Sequence, residues 1–263
     1  MLLAQKDYPL IFGLLDENSR RYPLLESLLQ GDISGRVYVD NKDDIRAALV
    51  ISRLDWVYLL GKHISEAFKG EMVSIFKEKE SGSYAWWGAD AGTRELARLH
   101  VSPNIKAYTR LRFSFNRDRF KAMEAPRLPV PIHGVNRQNL DRVLSKYYVQ
   151  GSQWDDQETF LRKGLGYFIE DGGEIVSAVM SAAVSGGEAE IDVQTDKAYR
   201  GRGYAQYLCH RFIEDCLERG MLPKWDCFKE NIPSVNSAKK LGFEVEGEYP
   251  LLHITVRRTK YTP

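Results

Sequence analysis

The most regular hydrophobic pattern in the chain lies in residues 204–219. Its apolar residues recur at intervals of three and four positions, which places them on one face of an α-helix. They are Ala205, Leu208, Cys209, Phe212, Ile213, Cys216 and Leu217. Gly220 and Pro223 follow, and these residue types commonly end a helix. The pattern therefore predicts one amphipathic helix with a buried face.

Alternating and β-branched runs surround this helix. Glycine-containing turns at 171–173 and 185–187 join three of the runs into consecutive antiparallel strands. The predicted strands of the second half are 166–170, 174–184, 188–195, 224–228, 243–246 and 251–257. Helical spacing predicts further helices at 136–149, 153–165 and 234–241.

The first half mixes the same two kinds of element. Its predicted helices are 17–30, 65–79 and 93–100, and its predicted strands are 36–40, 45–52, 56–61, 83–88 and 106–116. The first three strands suggest a small antiparallel meander. Of the adjacent Trp86 and Trp87, we expect one in the core and one covered by a neighbouring domain; the alternative is that they line a substrate pocket.

Three prolines mark the best candidate for a linker, at residues 118–131. Pro126, Pro129 and Pro131 alternate with basic and apolar residues, and proline favours an extended chain. We therefore predict two domains, at residues 1–125 and 126–263, within the usual range of domain sizes.

Composition narrows the class of protein. The chain has 263 residues, is 43% hydrophobic and 28% charged, and carries a net charge of +1. A protein that binds nucleic acid would normally be more basic, so we expect no nucleic-acid partner. No run approaches the roughly 18 apolar residues of a membrane span. No signal-peptide pattern follows Met1. We therefore expect no membrane association and a cytoplasmic location.

Cysteine and histidine usage argues against a disulfide framework and against a metal site. The three cysteines, Cys209, Cys216 and Cys227, are odd in number and have no paired spacing. The five histidines are scattered, with no His-x-x-x-His pair. We expect no bound metal.

Glycines and arginines stand where the strand at 188–195 gives way to the helix at 204–219. The segment Arg200-Gly201-Arg202-Gly203-Tyr204-Ala205 would bring bare backbone N–H groups and a helix N-terminus to one point, which suits a phosphate. It is not a Walker loop, and Gln206 stands where a dinucleotide fingerprint needs its third glycine. The plain alternative is a basic turn that caps a surface helix.

Two motifs in this order resemble those of one family. Arg200, Gly203 and Ala205 fit the Arg/Gln-x-x-Gly-x-Gly/Ala signature of the GCN5-related N-acetyltransferase (GNAT) superfamily. Residues 231–234 (Asn-Ile-Pro-Ser) and 241–243 (Leu-Gly-Phe) are similar to that family's Asn-x-x-Ser/Ala and Leu-Gly-Phe segments. The whole chain also resembles a two-domain subgroup that includes zwittermicin-resistance-like acetyltransferases.

The resemblance implies an α/β (α+β) protein. Its C-terminal domain would be a GNAT fold, with a mixed, mostly antiparallel central sheet flanked by helices. The smaller N-terminal α/β domain would be either a degenerate GNAT-like repeat without a phosphate loop or an unrelated cap domain.

The same resemblance implies acetyl-CoA as co-substrate, held between the strands of Val193 and Cys227. The loop N–H groups would bind the pyrophosphate, and a Cβ at either loop glycine would hold the phosphate away. The strand end would pair with the pantetheine arm, and the Val193 N–H would polarise the thioester carbonyl. The implied cofactor-binding residues are Val193, Gln194, Thr195, Arg200, Gly201, Arg202, Gly203, Tyr204, Ala205, Asn231 and Ser234.

The sequence indicates the residues that would transfer protons less clearly than it indicates the cofactor-binding residues. Glu190 and Asp192 are the candidate general bases, with Glu190 first, and a bulge in their strand would turn one toward the cleft. The alternative is that both are surface carboxylates. The family's usual tyrosine acid falls at Ala238 here. The leaving thiolate would then be protonated by solvent or by one of Tyr204, Ser234, Ser237 and Tyr249.

Three functions are compatible with these residues. The first is transfer of an acetyl group from acetyl-CoA to a primary amine of a small molecule. The second is acetylation of protein or peptide N-termini or of lysines. The third is acyl-CoA binding without turnover. We predict the first, carried out by a monomer or a homodimer.

Overall fold

A computed structural model describes residues 1–16, 22–148 and 153–257. The chain forms two compact units, one of Met1–Arg110 with Glu248–Pro263 and one of Leu111–Gly247. These units differ in extent from the predicted domains, because the chain returns to the first unit at Glu248.

The first unit carries an antiparallel meander, as predicted. Its strands are β1 (Gly35–Val39), β2 (Ala48–Ser52), β3 (Trp56–Leu60), β4 (Ser81–Trp87) and the first part of β5 (Ile105–Phe115). Its helices are a 3-10 helix (Gln5–Leu14), α1 (Pro23–Leu29), α2 (Glu66–Lys77) and α3 (Ala91–His100). The 3-10 helix was not predicted, and the predicted helix start at residue 17 lies outside the described residues.

Sheet pairing in the first unit is mixed. β1, β2 and β3 are antiparallel neighbours, while β3 and β4 are parallel. Strand β11 (Phe243–Arg257) pairs antiparallel with β4 from Leu251 onward. The predicted break between 246 and 251 is wrong, because Pro250 stays extended within the strand and its carbonyl accepts a hydrogen bond from the Gly88 N–H (2.9 Å).

Both strand tryptophans are buried within the first unit. Trp86 packs in the core under α2, with its ring 5.3 Å from that of Phe76. Trp87 lies among aromatic rings of the same unit, 5.2 Å from Tyr22 and 5.4 Å from Tyr249. One of the two tryptophans is therefore in the core, as expected, whereas the rings that cover Trp87 belong to its own unit rather than to a neighbouring domain.

The second unit carries a mixed, mostly antiparallel sheet flanked by helices, as predicted. Its strands run in the order β5-β10-β9-β8-β7-β6. Their bounds are β6 (His133–Gly134), β7 (Gly166–Asp171), β8 (Glu174–Ser185), β9 (Glu188–Thr195) and β10 (Leu222–Phe228). The helices are α4 (Arg117–Lys121), α5 (Leu140–Tyr147), α6 (Gln157–Lys163), α7 (Tyr204–Glu218) and α8 (Ile232–Lys240).

Part of the predicted linker is helical. Asn116 begins α4 by accepting a hydrogen bond from the Arg119 N–H at 3.0 Å, and Phe120 is buried. The asparagine cap and the buried aromatic side chain both stabilise this short helix. The prolines that suggested a linker stand after this helix.

Helices cover both faces of the second sheet. Helix α7 buries Leu208, Cys209, Phe212, Ile213 and Cys216, the face that its periodicity predicts. It ends where Gly220 adopts a left-handed φ of +72° and the Met221 N–H bonds back to the Cys216 carbonyl (2.8 Å). Helices α5 and α6 pack on the other face. Among the described residues, no helix combines the length and apolar character needed to cross a membrane.

Candidate functional site

Two parallel strands of the second unit pair over only part of their length. The pairing of β9 with β10 runs from Glu188–Leu222 to Glu190–Lys224, although β9 continues to Thr195 and β10 to Phe228. Beyond the last pair lies a cavity of about 910 Å³, which we call the β9–β10 cavity. Its walls come from both strands, from the loop that follows β9 and from α8.

The loop after β9 presents an uncapped helix N-terminus to this cavity. Gly203 precedes α7 with φ +84°, and no side chain caps the helix. Gly201 is also left-handed, at φ +81°. A Cβ at Gly201 would meet no protein atom within 4 Å, and one at Gly203 would meet only Leu128 at 3.8 Å. The backbone conformation therefore requires these glycines, and the space in front of them stays open for a ligand.

Cations dominate the charged lining of the cavity. Lys197, Arg200 and Lys240 line it, together with the single carboxylate of Asp196. The Arg200 Nε donates to the Thr195 carbonyl at 3.2 Å, which folds this side chain against the end of β9. Asp196 forms an ion pair with Lys146 at 3.0 Å. The excess of positive charge suits an anionic ligand.

Helix α8 supplies the opposite wall. The Asn231 side-chain oxygen accepts a hydrogen bond from the Ser234 N–H at 3.3 Å and so caps the helix. The Ser234 hydroxyl accepts one from the Trp225 indole N–H at 3.1 Å. Ser234 and Ser237 face the cavity, whereas Ala238 is fully buried in the core. The position of the family's usual tyrosine, counted back from the Leu-Gly-Phe motif, therefore lies on the side of α8 that packs in the core.

The structure brings together nearly all of the predicted cofactor-binding residues. Those that line the β9–β10 cavity are Val193, Gln194, Thr195, Arg200, Gly201, Gly203, Tyr204, Ala205, Asn231 and Ser234. Arg202 does not line it, and its guanidinium lies over the Tyr199 ring, 4.6 Å from the centroid. Glu190 and Asp192 do not line it either.

The pairing of β8 with β9 contains a bulge, and it lies on β8. Ser181 pairs with Ile191 and Ala183 with Glu190, so the extra residue is Ala182 of β8. β9 carries no extra residue in this pairing, so the bulge that would turn Glu190 or Asp192 toward the cleft is not found in their strand. Burial alternates regularly along the first half of β9, and this regularity keeps Glu190 and Asp192 on the same face of the strand.

The two candidate bases differ in their surroundings. Glu190 is opposite Lys224, within the paired part of β9 and β10. Asp192 lies beyond that pairing, on the face covered by α5, where burial raises its pKa above the ordinary 3.8 and a hydrogen bond with Tyr148 partly opposes the rise. Burial, followed by the charge of Asp192, raises the pKa of Tyr148 as well. Asp192 therefore holds its proton more tightly than a surface carboxylate.

Sequence reasoning missed several residues of the cavity wall, and three of them come from elements outside the loop. Tyr147 comes from the end of α5, Trp225 from β10 and Lys240 from the end of α8. Tyr147 falls within the helix predicted at 136–149, and that helical spacing does not mark it as a ligand-binding residue. No local motif marks these residues, since they meet the loop only through the fold. In the described part of the chain, no cluster of His, Cys, Asp and Glu is arranged to hold a metal ion.

The chain matches a known family over most of its length. The family model of GNAT acetyltransferases matches residues 14–252, which is most of the chain. The chain belongs to the GNAT acetyltransferase family. Family membership supports acyl transfer as the general activity. The match begins well before the glycine-containing segment at 200–205, so the GNAT family model includes most of the first compact unit as well as the second.

Individual GNAT relatives are distant but match over nearly their whole length. The uncharacterized N-acetyltransferase YdfB of Bacillus subtilis (strain 168) is 25% identical, and the match covers 95% of this chain and 97% of YdfB. A GCN5-related N-acetyltransferase-like protein from Streptococcus suis 89/1591 has a similar fold, with a TM-score of 0.74, 23% identity, and coverage of 94% of this chain and 98% of that one. A tandem GNAT protein from the clavulanic acid biosynthesis pathway has a TM-score of 0.64 and 12% identity over 97% of both chains.

Proposed function

We propose that this protein transfers an acetyl group from acetyl-CoA to a primary amine of a small molecule. The β9–β10 cavity carries the proposal. At this cavity the end of β9 is no longer paired with β10. Beside that strand end lie an uncapped helix N-terminus, two left-handed glycines and three cations. This combination suits a ligand with phosphates at one end and an extended amide chain at the other.

In this proposal each wall of the cavity holds a different part of the donor. N–H groups of the loop at 202–205 bind the pyrophosphate, with Lys197, Arg200 and Lys240 supplying positive charge. Residues 193–195 of β9 pair with the pantetheine arm as a neighbouring strand would. The Asn231 amide donates to the same arm, because its side-chain oxygen already caps α8.

For the reaction we place Asp192, rather than Glu190, as the general base. Asp192 lies past the last β9–β10 pair, and it is opposite Met180, which packs under α5 and α6. An amine approaching from that face would attack the carbonyl carbon and lose its proton to Asp192, directly or through water. The Val193 N–H would stabilise the oxyanion, and the C–S bond would break. Ser234, Ser237 or solvent would protonate the thiolate.

Finer assignments belong to the same proposal. We place the chain in the two-domain subgroup that resembles zwittermicin-resistance proteins, with residues 126–263 as the acetyltransferase domain and 1–125 as a degenerate GNAT-like repeat. The similar fold of a tandem GNAT protein along the whole chain supports the repeat. We propose a cytoplasmic enzyme that acts as a monomer or a homodimer.

The proposed function is tested by binding and turnover with acetyl-CoA. We expect CoA to bind in calorimetry, and CoA release from acetyl-CoA to increase when a panel of small primary amines is added. Stimulation by a peptide with a free N-terminus or lysine, but by no small amine, would favour a protein acceptor. Tight CoA binding without stimulation by any amine would favour a binding module, and no CoA binding would contradict the donor site.

Two substitutions at Asn231 separate its capping role from its donor role. Asn231→Ala removes both roles. We therefore expect the free energy of unfolding to fall by about 1 kcal/mol, and we expect CoA to bind more weakly. Asn231→Asp keeps the capping oxygen but loses the amide donor, so unfolding should stay near wild type while CoA binds roughly tenfold more weakly. Thermal melts and calorimetry on the three proteins measure both quantities. Full CoA affinity in both variants would leave Asn231 as a helix cap only.

A further inference from the structure

Hydrogen bonds connect the end of helix α5 with strand β9. The Gln194 side-chain amide donates to the Tyr147 carbonyl at 3.4 Å. The hydroxyl of the next residue, Tyr148, forms side-chain hydrogen bonds with Gln194 and with Asp192. Asp192 and Gln194 are two residues apart in β9, so they lie on the same face of the strand. The network therefore joins the candidate base to a residue of the β9–β10 cavity wall.

Tyr148 is the donor in its hydrogen bond with the ionised Asp192. Burial, followed by the charge of Asp192, raises the pKa of Tyr148 well above the ordinary 10.0. The phenol therefore keeps its proton at physiological pH. An ionised carboxylate can only accept hydrogen bonds, so the Tyr148 hydroxyl donates to Asp192 whenever Asp192 carries its charge. The charged form is the one that a general base needs.

This hydrogen bond opposes the effect of burial on Asp192. Burial raises the pKa of Asp192 above the ordinary 3.8, and the Tyr148 hydroxyl lowers it. Asp192 is also partly exposed. Since a carboxylate accepts through two oxygens, a single donor leaves the second oxygen for the proton of an amine.

The charged residues of the two strands near Asp192 have other neighbours. Glu190 lies two residues earlier on the same face of β9, opposite Lys224 of β10. Lys224 forms an ion pair with Glu188 at 2.9 Å. Asp226 lies two residues beyond Lys224, where β10 no longer pairs with β9.

The other elements around Asp192 supply no second hydrogen-bond donor among the described titratable side chains. Met180 of β8, opposite Asp192, and Phe160 of α6 are apolar. Cys209 of α7 is buried, and burial followed by the charge of Asp192 raises its pKa, so the thiol stays protonated. Lys146 of α5 pairs with Asp196 at 3.0 Å.

We propose that Tyr148 is a positioning residue for Asp192, whose carboxylate it keeps ionised and oriented toward the attacking amine. The inference rests on the proposed function, in which Asp192 is the general base. The proton passes from the amine nitrogen to an oxygen of Asp192, and Tyr148 keeps its own proton throughout. Tyr148 acts through Asp192 rather than on the donor, since neither residue lines the β9–β10 cavity.

Tyr148→Phe tests this role through the pH profile. Loss of a hydrogen bond to the ionised carboxylate should raise the midpoint of kcat/KM for the amine by about one pH unit. On the acidic side of both midpoints the variant should therefore be about tenfold slower, and the difference should narrow as pH rises. A tyrosine with a purely structural role would lower kcat/KM equally at every pH. CoA affinity, measured by calorimetry, should stay near wild type.

Tyr167→Phe is the matched control. The Tyr167 hydroxyl also donates to a carboxylate, that of Asp215 at 2.7 Å, and neither residue lines the β9–β10 cavity. Its pH profile should equal that of wild type, and thermal melts check the fold of both variants. A second test adds Tyr148→Phe to Asp192→Asn. Because Tyr148 acts through Asp192, the double variant should be no slower than Asp192→Asn alone.

The outcomes distinguish this inference from the function on which it rests. An unshifted midpoint in Tyr148→Phe, or losses that multiply in the double variant, would overturn the role of Tyr148 and leave Asp192 as the base. Full activity in Asp192→Asn would remove the base and this inference with it, but would leave the donor site. A wild-type protein that neither binds CoA nor releases it from acetyl-CoA would overturn the proposed function and the inference together.

Discussion

Gly203→Asp is expected to abolish CoA binding while leaving the protein folded. The change places a carboxylate at the N-terminus of α7, where the proposed pyrophosphate would lie. Repulsion between like charges in such a site amounts to about 3 kcal/mol or more, which is roughly a hundredfold loss of affinity. Calorimetric titration with CoA measures the loss, and a thermal melt checks the fold.

Gly187→Asp is the matched control for this experiment. Gly187 has a left-handed φ of +76°, a Cβ there would meet no atom within 4 Å, and the residue lies outside the β9–β10 cavity. Both variants should lose about 1 kcal/mol of stability, because each forces a side chain into the left-handed region. Only Gly203→Asp should lose CoA. Normal CoA affinity in Gly203→Asp would place the phosphate site elsewhere.

Asp192→Asn is expected to lower kcat/KM for the amine by about 100-fold to 10,000-fold, the usual contribution of a general base. CoA affinity should stay near wild type, because Asp192 does not line the cavity. In the wild-type protein, kcat/KM should rise with pH as Asp192 loses its proton, at a pH above the ordinary 3.8 because burial raises its pKa. The variant should lack this rise.

The free energy of unfolding should change with pH in the direction opposite to kcat/KM. The pKa of Asp192 is raised in the folded protein. The stability that this carboxyl group contributes is therefore fully present at pH values below its ordinary pKa, and it is lost as pH rises through the raised pKa. Asp192→Asn should therefore be at least as stable as wild type at neutral pH. Glu190→Gln, in the paired part of β9, is the control and should keep most of the activity. A large loss in Glu190→Gln with little in Asp192→Asn would reverse the assignment.

Local patterns predicted much of the fold. The apolar spacing around Phe212 is continuous and ends at a glycine, so the bounds of α7 follow from the sequence to within one residue. The turns at 171–173 and 185–187 carry paired glycines and fixed the three consecutive strands almost to the residue. In these segments, local preference and tertiary packing favour the same structure.

Features of the fold that depend on long-range contacts could not be predicted from a single sequence. The bulge at Ala182 depends on how β8 meets β9, and no residue type marks it. The opening between β9 and β10 is a property of two strands separated by a helix. Tyr147 reaches the cavity only because α5 ends against β9, although its apolar spacing predicts no more than packing. The motifs indicated one ligand-binding loop, and the residues that complete its cavity come from elsewhere in the fold.

The uncapped start of α7 also limits how this protein can be stabilised. Serine, threonine, aspartate and asparagine before a helix are among the most dependable stabilising substitutions. At position 203, each would put a side-chain oxygen in front of the N–H groups that the proposed donor needs. The most regular helix of the chain would therefore be kept incomplete at its first turn, and the bound nucleotide would take the place of the missing cap.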